Sequence, residues 1–180
     1  MLIQDKIDNL KSSEAYEQWL HECDSESYLA HIFIMLEKVD QTTILENLPV
    51  QIGFYNPSND TITVFSIDQE NNVKKFPDSE VFKEEDKTVV RLDPDSVKID
   101  LKDALDKAVE FAEKNYQKHQ PDRIICILQN IEEQQVYNVT VVTKSFHMIN
   151  VRIDTSTGEI VKHSISSVFD LKKDDKPGIV

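Results

Sequence analysis

Hydrophobic residues recur along the chain with helical spacing in some stretches and alternate with polar residues in others. At the N-terminus an apolar stripe precedes Ser12-Ser13, and a second short stripe follows that pair, where a serine can cap a helix. Residues 26–39 are apolar almost all round, which is typical of a helix buried on several sides. Asp100 is placed to cap an amphipathic helix over residues 101–118. We therefore predict four helices, two of them before residue 24.

Alternation with a period of two predicts most of the remaining elements as β-strands. Turn-forming residues separate these stretches, and the four in the second half follow one another closely, as in an antiparallel meander. The predicted strands are a stretch from Leu48 through Phe54, then Thr61–Ile67, Val73–Phe76, Thr88–Leu92, Val97–Ile99, Arg123–Gln129, Gln135–Thr143, Phe146–Ile153 and Glu159–Ile165.

The same order occurs twice: helix 26–39 precedes strands near residues 48, 61, 73 and 88, and helix 101–118 precedes strands near residues 123, 135, 146 and 159. We predict an α+β protein with two helix-on-antiparallel-sheet units, residues 24–100 and 101–169, after an N-terminal helical arm (1–23) and before a flexible tail (170–180). This order is consistent with a tandem duplication. In the second unit, helix and sheet are expected to share one core made of Leu105, Val109, Ala112, Tyr137, Val139, Ile149 and Val151.

Three short segments of the second unit resemble the PepSY domain family over residues 101–165. They are Ala104-Leu105-Asp106-Lys107-Ala108, Val136-Tyr137-Asn138-Val139, and the hairpin from Val151 to Val161, which contains Asp154, Gly158 and Glu159. In that hairpin Asp154 can bond its own turn, and Gly158 can supply a positive φ. The resemblance implies a helix lying on a cystatin-like sheet. It also implies a binding or regulatory module related to peptidase propeptides rather than an enzyme.

Charge and glycine content exclude several classes of partner. The chain has 33 acidic and 20 basic residues and a net charge of −13, so it should repel nucleic acids and anionic membranes. Its three glycines lie far apart, which excludes a glycine-rich nucleotide-binding loop. The first 20 residues do not resemble a secretory signal, and the longest apolar run, Ile32 to Leu36, is too short to span a membrane. We expect a cytoplasmic protein.

Candidate chemistry is sparse. His147 and His163 are predicted to lie on one face of the sheet as a weak two-ligand metal site without a third ligand. Cys23 and Cys126 lack metal-binding spacing, and burial should raise the thiol pKa of Cys126. No serine lies in a nucleophile elbow. We therefore predict no catalytic residues, no metal and no cofactor.

Two aromatic side chains on the second short helix, Tyr16 and Trp19, are candidate anchors for a partner, with packing against the chain's own sheet as the alternative. We predict a non-enzymatic module that binds a protein or peptide as a monomer or homodimer. Two alternatives stay open. One is a small-molecule-binding protein or acid/base enzyme with a pocket between helix and sheet, and the other is an acidic dimeric chaperone.

Overall fold

A sheet of nine strands runs through both halves of the chain in this computed structural model, which describes residues 2–23, 26–37, 45, 48–81 and 88–169. The helices are α1 (Leu2–Lys11), α2 (Glu14–Glu22) and α3 (Leu101–Asn115). The strands are β1 (Tyr28–Leu36), β2 (Val50–Asn56), β3 (Thr61–Ile67), β4 (Val73–Lys75), β5 (Ser79–Glu80), β6 (Pro121–Ile131), β7 (Gln134–Thr143), β8 (His147–Asp154) and β9 (Ile160–Ser167). Their spatial order is β4-β3-β2-β1-β6-β7-β8-β9, β5 also pairs with β3, and every pairing is antiparallel.

The prediction of a helix over residues 26–39 is wrong, because residues 28–36 form the central strand β1. In this strand the even-numbered residues from Ala30 to Leu36 are buried, whereas the odd-numbered residues from His31 to Met35 lie on the other face and are more exposed. The strand is hydrophobic on both faces, so a short apolar run of this kind fits a helical pattern as well as a buried strand. Its β-branched and aromatic residues, among them Ile32, Phe33 and Ile34, favour the strand.

The predicted architecture of two helix-on-sheet units is also wrong. Strand β1 pairs with β2 on one side and with β6 on the other, where Ile32 lies opposite Leu128 and Ile34 opposite Cys126. The two halves therefore share one continuous sheet. The helix that the first unit needed does not exist, and the strand in its place supplies the hydrogen bonds that join the halves.

The N-terminal helices do not form a separate arm, because both pack on the sheet. Ile3, Ile7 and Leu10 of α1 are buried in the main core, and so is Trp19 of α2. The predicted serine cap is confirmed: the Ser13 hydroxyl accepts a hydrogen bond from the backbone N–H of Tyr16.

The predicted helix over 101–118 is confirmed as α3, which ends three residues earlier, and its core is confirmed in full. The Asp100 carboxylate caps the helix by accepting from the backbone N–H of Lys102 at 3.0 Å. All seven residues that were expected to share a core are buried in one cluster. At its edge the Tyr137 hydroxyl donates to the Ile99 carbonyl oxygen at 3.0 Å, which satisfies this buried phenol.

The two strands predicted around Asp93-Pro94 are wrong, while the other predicted strands are confirmed with ends that shift by a few residues. The chain from Thr88 to Val97 forms no strand, and Pro94–Ser96 forms a 3-10 turn capped by the Asp93 carboxylate. In this segment the Leu92 N–H donates to the Leu29 carbonyl oxygen, but no run of such bonds follows. The tail predicted for residues 170–180 lies outside the described residues.

The hairpin signature folds as its residues predict. One carboxylate oxygen of Asp154 accepts from the backbone N–H groups of Ser156 and Thr157, at 2.9 and 2.8 Å. The Ser156 hydroxyl donates to the same oxygen. This hydrogen bond contributes most, together with the backbone ones, to holding the pKa of Asp154 well below its usual range. Gly158 has φ +72°, and the side chain of Ile99 lies close to its Cα, so a larger residue would be strained there. Glu159 is exposed and its backbone carbonyl closes the turn by accepting from Asp154 N–H.

Candidate functional site

The sheet has one face covered by helices and one that no helix covers within the described residues. Buried side chains of α1, α2 and α3 pack on the first face, together with every second residue of the strands. The residues in between point to the opposite side, which we call the open face. Around the pairing of β1 with β6, from His31 to Met35 and from Ile125 to Ile127, these side chains are partly or largely exposed.

Hydrophobic side chains form the centre of the open face. Phe33 lies opposite Ile127, and Met35 lies opposite Ile125, across the central pairing of β1 with β6. Met35 is 41% exposed, and the other three are partly exposed. Four adjoining apolar side chains that no described element covers make a patch of the kind that marks interaction sites on soluble proteins.

Polar side chains flank this patch on β7 and β8. The Asn150 amide donates to the Asn138 amide oxygen at 2.8 Å and to the Thr140 hydroxyl at 3.1 Å, so these three side chains hold one another in place. Next to them, Arg152 on β8 lies directly opposite Lys162 on the edge strand β9. The open face therefore changes from apolar in the middle to cationic at one edge.

One corner of the open face is covered by the chain that precedes α3. The Tyr28 hydroxyl donates to the Val89 carbonyl oxygen at 2.7 Å, and the guanidinium of Arg91 lies 4.9 Å from the centre of the Tyr28 ring. Tyr55, opposite Tyr28, is consequently buried. This crossing segment leaves the apolar patch and the cationic edge uncovered.

His31 lies on the open face beside Gly53, its partner across β1 and β2. A Cβ atom at position 53 would come within 2.3 Å of the imidazole ring, so the ring fills the space that a larger residue would occupy. Burial lowers the pKa of His31 from its ordinary value, because the imidazolium loses its hydration there.

This burial predicts how stability depends on pH. Since the unfolded chain binds a proton on His31 more readily than the folded chain, the contribution of this group is complete above the ordinary histidine pKa of about 6.5 and is lost as the pH falls through it. Urea unfolding between about pH 7.5 and pH 5 should show a smaller loss of stability in His31→Gln than in the wild type. The matched control is His21→Gln, an exposed histidine on α2. Equal pH dependence in wild type and His31→Gln would contradict the prediction.

The predicted aromatic anchors lie on the helix-covered side of the sheet. Trp19 is 5% exposed, and its ring centre lies 4.8 Å from that of Phe54 and 5.5 Å from that of Phe65. Tyr16 is partly buried against the same rings. The packing alternative therefore describes these residues, because a buried indole has no surface left to offer a partner.

His147 and His163 share one face of the sheet but lie apart along it. The expected register placed His163 opposite Ile149, whereas a turn one residue longer than expected and a bulge near Arg152 and Ile153 together place it opposite Val151. His163 contacts the Tyr116 hydroxyl at 3.1 Å. The two histidines therefore do not form a pair.

His147 instead meets His119, a residue that the spacing analysis did not single out. The two ring centres are 4.1 Å apart, and the Ser145 hydroxyl lies 2.8 Å from Nδ1 of His119 and 3.3 Å from Nδ1 of His147. The sequence carried no local signal for this contact, because His119 follows α3 and His147 begins β8. Among the described residues, no three His, Cys, Asp or Glu side chains are grouped so that they could hold a metal ion.

The cysteines and an open groove offer no nucleophile next to these histidines. Neither cysteine forms a disulfide with another described residue, and burial raises the pKa of the Cys126 thiol to about 12, as expected for an inert core residue. An open groove of about 580 Å³ lies at the ends of β1, β2 and β3, and its lining includes Phe33 and Leu48 but neither His147 nor His163.

Comparison with known proteins establishes a shared fold. The crystal structure of a candidate lipoprotein from Clostridium difficile 630 is similar to this chain, with a TM-score of 0.55, 13% identity, and coverage of 92% of this chain and 93% of the other. No protein-family model matches the chain, and no curated protein matches its sequence. The resemblance to PepSY therefore stays a prediction.

Within the described ranges, none of the three helices is long and apolar enough to cross a bilayer.

Proposed function

We propose that this protein is a non-enzymatic binding or regulatory module that holds a protein or peptide partner on its open face. The observation that carries the proposal is the partly exposed block of Phe33, Met35, Ile125 and Ile127 at the centre of a sheet whose other face packs against α1, α2 and α3. A patch of this kind binds by burying apolar area, at about 25 cal/mol for each Å² removed from water. The PepSY resemblance, which implies a binding module, supports the same reading.

The cellular setting belongs to the proposal as well. We place the protein in the cytoplasm, where a buried thiol such as that of Cys126 stays reduced. The module acts as a monomer or a homodimer. Its occupant is a protein segment with hydrophobic side chains, because the patch lies on the sheet surface and borders the open groove at the ends of β1, β2 and β3 rather than a closed cavity.

The test uses a short peptide in which leucine alternates with glutamine, flanked by Gly-Ser for solubility. Titrated into isotope-labelled protein, it should shift the NMR signals of Met35, Ile125 and Ile127 and leave those of the helices unchanged. Ile127→Thr keeps a β-branched strand residue and removes apolar area, so it should weaken binding by about fivefold or more.

The matched control is Glu110→Gln, an exposed position on α3, which should bind as the wild type does. Shifts that cluster on α1, α2 or α3, or binding that Ile127→Thr does not weaken, would contradict the proposal.

A further inference from the structure

Two cations lie side by side at the edge of the open face. Arg152 on β8 and Lys162 on β9 are directly opposite across the ladder, so their side chains leave the sheet on the same side. Like charges in this position repel each other and destabilise a sheet. In a chain with a net charge of −13, carboxylates are plentiful, yet none is paired with either cation among the described residues.

The Arg152 side chain lacks the partners that a guanidinium normally has. Its Nε is buried and has no hydrogen-bond partner, and the whole group makes no hydrogen bond or ion pair with any described residue. Asn138, which lies opposite Arg152 on β7, already accepts a hydrogen bond from the Asn150 amide with its own amide oxygen. A buried N–H without an acceptor is costly, and most such groups in proteins find one.

The nearest acid on the same face is already engaged. Asp154 follows Arg152 by two residues, and one of its carboxylate oxygens accepts from Ser156 and Thr157. The other accepts from the Gln134 amide at 2.8 Å. The turn therefore holds this carboxylate, so the Arg152 guanidinium can donate hydrogen bonds to a carboxylate from another molecule.

We infer that Arg152 and Lys162 together bind a carboxylate of the protein partner, and that the partner's contact surface combines hydrophobic and acidic side chains. This inference rests on the proposed function. A carboxylate between the two cations would relieve their repulsion and accept short charge-assisted hydrogen bonds from the accessible N–H groups of the Arg152 guanidinium and the Lys162 ammonium. The apolar patch lies two strands away on the same face, so one extended segment crossing β6, β7 and β8 can contact both.

The experiment compares two peptides that differ only in charge. The first is the leucine–glutamine peptide, and the second carries glutamate in place of glutamine. The glutamate peptide should bind about tenfold more tightly and should shift the Arg152 Nε–H signal, and the advantage should shrink at high salt. Arg152→Gln and Lys162→Gln should each remove most of the affinity advantage of the glutamate peptide. The matched control Lys118→Gln also removes one positive charge, at an exposed position after α3, and should retain that advantage.

The outcomes separate this inference from the proposed function. Equal affinity for both peptides, with Ile127→Thr weakening both, would overturn the carboxylate site and leave the binding module standing. The site would also be overturned if Lys118→Gln reduced the affinity advantage of the glutamate peptide as much as Arg152→Gln does. That advantage would then reflect the overall charge of the protein. If neither peptide binds at millimolar concentration, both ideas fail. Urea unfolding of each variant shows whether a loss of binding comes from unfolding, and Lys162→Gln, on an exposed edge, provides the test if Arg152→Gln does not fold.

Discussion

Replacing Ile34 with aspartate is expected to lower the free energy of unfolding by more than about 3 kcal/mol, whereas the same change at the adjacent Met35 should cost no more than about 1 kcal/mol. Ile34 is fully buried between Val50 of β2 and Cys126 of β6. A carboxylate there would be surrounded by apolar groups and would have no partner. Met35 points to the open face, where an aspartate stays hydrated.

The pair of variants decides whether residues 28–36 form a strand in solution. A strand sends neighbouring residues to opposite faces, while the helix expected from the sequence would bury much of its circumference, including both positions. Urea unfolding followed by circular dichroism measures the two free energies. If Ile34→Asp does not fold at all, Ile34→Thr can replace it, because threonine keeps the β-branched shape. Ile34→Thr should still lower the free energy of unfolding by more than Met35→Thr does. Equal losses at the two positions would contradict the central strand.

Truncating Leu105 to alanine is expected to destabilise the protein by about 2–5 kcal/mol, because it leaves a cavity where α3 meets the sheet. Leu105 is 4% exposed and belongs to the same core as Tyr137 and Val139. The surrounding residues come from β6, β7 and β8, which are held by continuous ladders and have little room to close the space.

The control for this variant is Glu110→Ala on the exposed side of α3, which should change stability by no more than about 0.5 kcal/mol. Chemical denaturation of both variants provides the measurement. A change near zero for Leu105→Ala would mean that the apolar stripe of α3 faces solvent, contrary to the packing described above.

Most of the second half could be predicted from the sequence because its elements are marked by local chemistry. Asp100 caps α3, and Asp154 with Gly158 closes the last hairpin, each through contacts within a few residues. The histidine site could not be predicted in the same way. A turn one residue longer than expected and a bulge between Arg152 and Ile153 together moved His163 by two positions along β8, and only the paired strands determine where such irregularities lie.

The sequence by itself determined the helical stripe of α3, the alternation of β6 to β9 and the caps and turns that end them, because these depend on neighbours along the chain. Only the tertiary structure decided that residues 28–36 form a strand, since a segment that is hydrophobic on both faces takes the conformation whose backbone groups its partners can satisfy. Here β2 and β6 flank it and accept and donate those hydrogen bonds. The open face was decided at the same level: alternation shows that a strand has two sides, but the placement of the helices determines which side stays uncovered.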